Sequence, residues 1–150
     1  MADLLSGLPS SSGVTHETFP AVVAGVDLTS TEEVTRAVER FGERYLRRVF
    51  TPREIKDCRA RTAAITARSL AARFAAKEAT FKVLRLSDVR PPWTDVEVQR
   101  SSTGSCTICL TGSARQLAAA QGVDHIAVSL THEGPMAAAI VVATCHRGLS

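Results

Sequence analysis

Hydrophobic and polar positions repeat along this chain with two different periods, and each period predicts one class of element. The β-branched apolar run Ala21–Leu28 is typical of a buried strand. The segment from about Thr62 to Leu86 contains no Gly or Pro and keeps one apolar stripe at helical spacing, so it predicts the main helix. Beyond Pro91-Pro92 the period changes to two, which indicates strands.

Short polar signals predict where the remaining elements begin and end. Thr29-Ser30-Thr31 offers N-caps for a helix that runs to about Leu46, and Thr51-Pro52-Arg53-Glu54 is a capping box with Pro at the first helical position. A first hairpin, a helix and a second hairpin follow, over about 96–111, 113–121 and 126–144. This order predicts an α+β fold, with a long helix packed on a mainly antiparallel sheet.

The length of 150 residues predicts a single domain, because it is too short for two ordinary ones. Residues 1–19 are rich in Ser, Gly, Pro and Thr and predict a flexible extension before a domain at 20–150. No secretory signal or membrane-spanning run is expected. Four cysteines are sparse for a stapled fold, which favours reduced thiols and a cytoplasmic location.

Charge is distributed unevenly along the chain. Residues 31–90 hold fifteen of the eighteen Lys and Arg but only eight of the fifteen acids, a local charge of +7. Either this is a solvated helical face, or the partner is anionic: a phosphorylated cofactor, an acidic protein or a nucleic acid. Aromatic residues make up only 5% of the chain, so a base-stacking platform for nucleic acid is the weakest of these alternatives.

The main helix carries the first candidate site residues. Lys77 lies within its apolar stripe, whereas Glu78 and Lys82 lie one turn apart on the flank. One interpretation is an i,i+4 ion pair worth about 0.2–0.5 kcal/mol, with Lys77 snorkelling past its neighbours. The other is that Lys77 meets a bound anion, because a long amine rarely occupies a core stripe without one.

Asp27 is the second candidate, at the point where the first strand emerges. It either caps the following helix or joins Glu78 as one of two carboxylate ligands of Mg²⁺, an ion that takes few protein carboxylates and completes its shell with water and phosphate. His132, at the end of a strand, is usually an ordinary surface residue in such a position. Cys106 and Cys109 face opposite sides of a strand, so they do not predict a zinc site.

Taken together, these residues resemble holo-acyl-carrier-protein synthases, the short single-domain 4′-phosphopantetheinyl transferases. The resemblance extends from about Ala24 to Ala143. Its motifs occur in the order and approximate spacing of that family: Gly25–Leu28, Gly42–Thr51, Arg73–Ala79 with Lys82, and Val128–His132.

The resemblance implies transfer of 4′-phosphopantetheine from coenzyme A to a serine of an acidic apo carrier protein, of fatty-acid or polyketide type. It implies the transferase fold and a homotrimer that binds coenzyme A between adjacent subunits. Asp27 and Glu78 match the family's Mg²⁺ ligands. For the transfer chemistry, Glu78 is expected to take the serine proton, directly or through a metal-bound water. The positions linked to coenzyme A phosphates or to catalysis are matched by Arg73, Lys77, Lys82 and His132.

Two departures from the family pattern concern its substrates. Glu33 stands where many members have a carrier-docking arginine, so Arg36 is a candidate substitute within a surface of arginines at 36, 40, 44, 47 and 48. Leu84–Asp88 replaces a Gly-Thr-Gly-like loop that contacts the coenzyme. The competing class is a non-catalytic module that binds coenzyme A or a carrier protein, and the joint presence of Asp27, Glu78 and Lys82 argues against it.

Overall fold

A computed structural model describes residues 20–59, 62–86 and 90–146, except for the side chains of residues 64 and 65. Its helices are α1 (Thr31–Phe41), α2 (Glu43–Val49), α3 (Pro52–Cys58), α4 (Ala63–Val83) and α5 (Gly112–Ala120), with a short 3₁₀ helix at Trp93–Asp95. Its strands are β1 (Ala21–Ser30), β2 (Val96–Arg100), β3 (Cys106–Leu110), β4 (Val123–Glu133) and β5 (Met136–Cys145). The predicted N-terminal extension, 1–19, lies outside the described residues.

The strands form two antiparallel sheets. β5 lies between β1 and β4 in a three-stranded sheet, and β2 pairs with β3 in a separate hairpin. The prediction of an α+β fold with a long helix on a mainly antiparallel sheet is confirmed. β4 and β5 extend beyond the predicted strands, because their register continues from Val123 opposite Cys145 to Glu133 opposite Met136.

Small side chains allow α4 to lie close against the inner face of the larger sheet. Alanines of the helix pack on alanines and a valine of β5, and all are buried: Ala75, Ala76, Ala79, Ala139, Val141 and Ala143. The closest approach is at Gly25 of β1, where an added Cβ would lie 2.2 Å from the Ala79 carbonyl oxygen. Only glycine fits there, and it brings the middle of β1 against the second half of α4.

The predicted helix from Thr31 to about Leu46 is wrong in one respect, because it is two helices. Gly42 has φ +55° and ψ −139°, so the chain breaks there before α2 begins at Glu43. The capping box at the start of α3 forms as predicted. The Thr51 hydroxyl accepts from the Glu54 amide, and the Glu54 carboxylate accepts from the Thr51 amide.

β1 was predicted to be buried, and this is correct for only one of its faces. Val22, Val26 and Leu28 are 65%, 58% and 64% exposed, and Ile140 of the neighbouring β5 is 43% exposed. Alternate residues of a strand point to opposite sides of the sheet. The inner face of β1 packs on α4, whereas the outer face of the larger sheet carries these apolar side chains to the surface.

Candidate active site

The site begins at Asp27, whose carboxylate lies where β1 passes α4. Lys82 Nζ lies 3.0 Å from Asp27 Oδ1 and donates a second hydrogen bond, of 2.7 Å, to the Val26 carbonyl oxygen. The Thr29 hydroxyl donates to Asp27 Oδ2 at 2.9 Å. Asp27 does not cap α1, because the N-cap residue is Ser30 and no side-chain hydrogen bond caps the helix. The carboxylate is thus held by a cation and a hydroxyl beside the helix.

Glu78 lies one helical turn before Lys82, and its partner is Arg90. Arg90 Nη2 donates to Glu78 Oε1 at 2.8 Å. The guanidinium carbon lies 3.9 Å from the ring centroid of Trp93 and 4.4 Å from that of Phe81. The i,i+4 pair between Glu78 and Lys82, one of the two interpretations of the sequence, is therefore replaced by two ion pairs with residues distant in the chain.

The donor set fits a hard divalent cation that also binds phosphate. Asp27 and Glu78 offer carboxylate oxygens from a strand and a helix that meet at Gly25. No cluster of three or more His, Cys, Asp or Glu side chains suited to a metal occurs among the residues that the structure describes. Two carboxylates without further protein ligands suit Mg²⁺, which usually keeps water and takes substrate phosphate oxygens.

The prediction that Lys77 meets a bound anion is not supported, because its ammonium is paired with a carboxylate of the protein. Its side chain is fully buried, and Nζ lies 2.8 Å from Glu54 Oε2, which is equally buried. Nζ also donates to the carbonyl oxygens of Trp93, at 3.0 Å, and of Val96. Burial lowers the pKa of Lys77, and the neighbouring Glu54 opposes that shift. The contacts of Lys77 are structural, linking α4 to α3 and to the start of β2.

Arg73 and His132 line a second pocket, of about 280 Å³, between α4 and β4. Arg73 is 4% exposed and makes one long hydrogen bond, of 3.5 Å, to the Ser69 carbonyl oxygen. Its Nε and Nη2 atoms are buried without a hydrogen-bond partner among the described residues. Arg100 lines the same pocket, so two guanidinium groups make it suited to an anion.

The structure thus groups the six predicted site residues into three places. Asp27, Glu78 and Lys82 lie together at the junction of β1 and α4, Arg73 and His132 share the second pocket, and Lys77 lies in the interior. Sequence reasoning missed Arg90 and Trp93. The one available signal was a lone tryptophan three residues after an arginine, in Arg90-Pro91-Pro92-Trp93.

The five arginines expected to dock a carrier protein lie on α1 and α2, which also carry four glutamates. Arg36 pairs with Glu32 across one turn of α1, and both side chains are largely exposed. Phe41, Arg44, Tyr45 and Arg48 line a groove of about 400 Å³, and Phe41 is 45% exposed. An apolar ring between guanidinium groups is suited to an acidic protein surface.

Comparisons with known proteins agree on one family. A family model described as the 4′-phosphopantetheinyl transferase superfamily matches residues 24–145. The holo-[acyl-carrier-protein] synthase of Desulforudis audaxviator is 46% identical over 119 residues, which are 79% of this chain and 89% of that protein.

Solved structures give the same result for the fold. The acyl carrier protein synthase of Mycobacterium tuberculosis is 35% identical, with a TM-score of 0.66 over 84% of this chain and all of that one. The Chronobacterium ammoniagenes synthase in complex with coenzyme A is 28% identical, with a TM-score of 0.74 over 85% and 99% of the two chains. In the part of this chain that the structure describes, no helix is long and apolar enough to cross a membrane.

Proposed function

Because the chain belongs to the 4′-phosphopantetheinyl transferase superfamily, we propose that it transfers 4′-phosphopantetheine from coenzyme A to a serine of an apo acyl carrier protein. The products are holo carrier protein and adenosine 3′,5′-bisphosphate. The observation that carries this proposal is the junction of β1 and α4, where two carboxylates and two cations lie together. The relatives named as holo-acyl-carrier-protein synthases support the choice of substrates.

Magnesium dependence is part of the proposal. Asp27 and Glu78 are the residues that would hold Mg²⁺, since their carboxylates lie on the two elements that Gly25 brings together. When bound, the ion would neutralise the negative charge that develops on the phosphoryl oxygens during transfer. Thr29 orients the Asp27 carboxylate by its hydrogen bond to Oδ2.

Lys82 and Glu78 carry the steps assigned to this chain. The carrier serine oxygen forms a bond to the phosphorus that bears pantetheine, and the bond from that phosphorus to the bisphosphate breaks. Glu78 accepts the serine proton. Before any ligand binds, its Oε1 accepts a hydrogen bond from Arg90. Lys82 is half exposed, so its ammonium is free to move from Asp27 towards the departing phosphate and to stabilise its charge.

Arg73 and His132 bind a phosphate group of coenzyme A. Two arginines, Arg73 and Arg100, line the pocket of about 280 Å³ together with His132, so the pocket offers an anion several N–H donors. His132 lies on the exposed end of β4 at the rim of the same pocket. Lys77, for which the same role was predicted, is left out, because its ammonium is bonded to Glu54 and to two carbonyl oxygens.

The carrier protein docks on the arginines of α1 and α2. Carrier proteins of fatty-acid or polyketide type are acidic, and the groove around Phe41 is flanked by Arg44 and Arg48. Glu33 stands at the position where many members of the family have a docking arginine. Arg36 is exposed, and it serves as the docking arginine after its ion pair with Glu32 opens. An exposed ion pair of this kind contributes only about 0–1 kcal/mol, so the exchange costs little.

A homotrimer in the cytoplasm completes the proposal. The apolar outer face of the larger sheet, which includes Val22, Val26, Leu28 and Ile140, supports self-association because monomeric proteins rarely expose such patches. The four free thiols fit a reducing compartment. Light scattering should give a mass near three times 16.0 kDa. A monomer at micromolar concentration would contradict a site between subunits.

Mass spectrometry tests the function directly. An apo carrier protein incubated with the full chain, coenzyme A and Mg²⁺ should gain the mass of phosphopantetheine, and a chelator should abolish the gain. The Asp27→Ala variant should be inactive, whereas Asp124→Ala, which removes an aspartate paired with His146 far from the site, should retain activity. No gain across several fatty-acid and polyketide carriers would favour a non-catalytic module of the same fold.

A further inference from the structure

Arg90 is the charged residue of the site to which neither the sequence nor the proposed mechanism gives a substrate contact. We propose that Arg90 is a further coenzyme-binding residue, which exchanges its bond to Glu78 for a bond to a coenzyme phosphate when metal and coenzyme enter together. This inference rests on the proposed function, because it needs both ligands at the same junction. By this exchange, Arg90 makes the binding of the metal and the binding of the coenzyme depend on each other.

The geometry of Arg90 keeps its guanidinium beside the site while leaving donors unused. The guanidinium carbon lies 3.9 Å from the Trp93 ring centroid and 4.4 Å from that of Phe81, which holds the cation near both rings. One edge of the group donates to Glu78 Oε1, its hydrogen-bond partner among the described residues. A planar guanidinium has five N–H donors and this side chain is 41% exposed, so donors remain for a second anion.

The charges at the junction give a reason for exchange. Asp27 is paired with Lys82, and Glu78 with Arg90, so two negative and two positive charges lie together. A divalent cation that enters alone is repelled by the Lys82 ammonium beside Asp27 and by the Arg90 guanidinium beside Glu78. A cation that enters with a diphosphate brings acceptors for those two groups, which then leave the carboxylates. Metal and coenzyme should therefore bind cooperatively.

The exposure of Arg90 permits the exchange, in contrast to the buried pair of Lys77 and Glu54. The side chains of Arg90 and Glu78 are 41% and 26% exposed, whereas those of Lys77 and Glu54 are 0% exposed. Exposed ion pairs are weak and break readily, while a buried pair cannot open without leaving a charge in the interior. The aromatic rings restrict how far the released guanidinium moves.

Calorimetric titration of Arg90→Gln tests the coupling with two ligands. Mg²⁺ alone should bind about threefold more tightly than to the wild type, because its carboxylate ligand loses a competing cation. Coenzyme A in the presence of Mg²⁺ should bind about tenfold more weakly, because a charge-assisted bond is lost. Arg115→Gln, which removes one exposed positive charge on α5, is the matched control and should change neither constant.

Trp93 provides a readout that does not depend on activity. It is the sole tryptophan of the chain and lies under the Arg90 guanidinium. Its emission should change when Mg²⁺ and coenzyme A are added together, and should change much less with Mg²⁺ alone. The Arg90→Gln variant should give a smaller change, and Arg90→Lys, which keeps the charge but not the planar donors, an intermediate one.

The outcomes separate this inference from the proposed function. Opposite shifts for Mg²⁺ and coenzyme A in Arg90→Gln support the exchange, because a merely structural role would weaken both. Unchanged constants, or equal weakening of both ligands, would overturn it while the wild type still modifies the carrier. A wild type that neither binds coenzyme A nor modifies a carrier would instead overturn the proposed function.

Discussion

Two lysines on one helix, five residues apart, have opposite environments. Lys77 is fully buried and bonded to Glu54 and to two main-chain carbonyl oxygens, whereas Lys82 is half exposed and bonded to Asp27 at the edge of the sheet. Both are amines paired with a carboxylate at 3.0 Å or less. The two ion pairs differ in solvent exposure. Breaking a buried pair leaves an unpaired charge in the interior at a large cost in free energy, whereas water solvates the partners of an exposed pair when it opens.

This difference separates an interior region from a rim region of the same helix. In the interior, Glu54 bonds Lys77, the Thr51 amide and the Val98 amide, so one carboxylate joins α3, α4 and β2. At the rim, each carboxylate has a cation that a ligand phosphate could attract. We therefore expect substitutions in the interior to change stability and substitutions at the rim to change activity.

The largest expected effect is on the stability of the interior pair. Lys77→Met leaves the Glu54 carboxylate buried without its cation and should lower the free energy of unfolding by about 3–5 kcal/mol. Urea denaturation measures the loss. The same change at the rim, Lys82→Met, is the matched control and should cost less than about 1 kcal/mol. If Lys77→Met and Lys82→Met lowered the free energy of unfolding equally, the distinction between the interior and the rim of α4 would be refuted.

The next effect is on the activity of the rim. Glu78→Gln keeps the shape of the side chain but removes its charge, so kcat should fall about 10²–10³-fold while the free energy of unfolding changes by less than about 1 kcal/mol. Steady-state transfer to an apo carrier at saturating Mg²⁺ measures this. Glu54→Gln, the interior counterpart, should destabilise the fold instead. Near-normal turnover by Glu78→Gln would refute the role of this carboxylate.

The smallest effect concerns Cys58, which lies in the interior near Lys77. Burial raises the pKa of its thiol from 9.0 to about 12. Because the folded pKa is the higher one, the stabilisation is full below about pH 9 and is lost as the pH rises towards 12. Between about pH 8 and about pH 9.5 the wild type should lose about 0.8 kcal/mol more stability than Cys58→Ala, measured by denaturation at both pH values. Parallel pH dependence in the two proteins would contradict the raised pKa.

Local signals in the sequence predicted the parts of this structure that depend on neighbouring residues. The capping box at Thr51 and Glu54 satisfies its donors within four residues, and a run without Gly or Pro predicts the span of α4. The predicted single apolar stripe is wrong, because the second half of α4 is buried on most of its sides. Asp27 was found because a carboxylate near the end of an apolar run stands out, although β1 continues to Ser30. The roles of Asp27, Glu78 and Lys82 remain predictions for the assays above.

Contacts between distant residues explain what the sequence did not reveal. Glu54 lies 23 positions before Lys77, so nothing local indicated that the core lysine has a carboxylate partner rather than a ligand. Arg90 bonds Glu78, and Trp93 packs on Phe74 and Phe81, so residues 90–93 lie along α4 although they follow it in the chain. The exposed face of β1 escaped prediction because an apolar run does not reveal whether one or both faces are covered.

Gly25 has a consequence for how this site tolerates change. A methyl group at this position would overlap main-chain oxygen, which cannot rotate away as a side chain can. The helix and the strand would have to separate as whole units, and the spacing between Asp27 and the turn from Glu78 to Lys82 would widen with them. The absence of one carbon atom at Gly25 therefore sets the spacing between the two halves of the site.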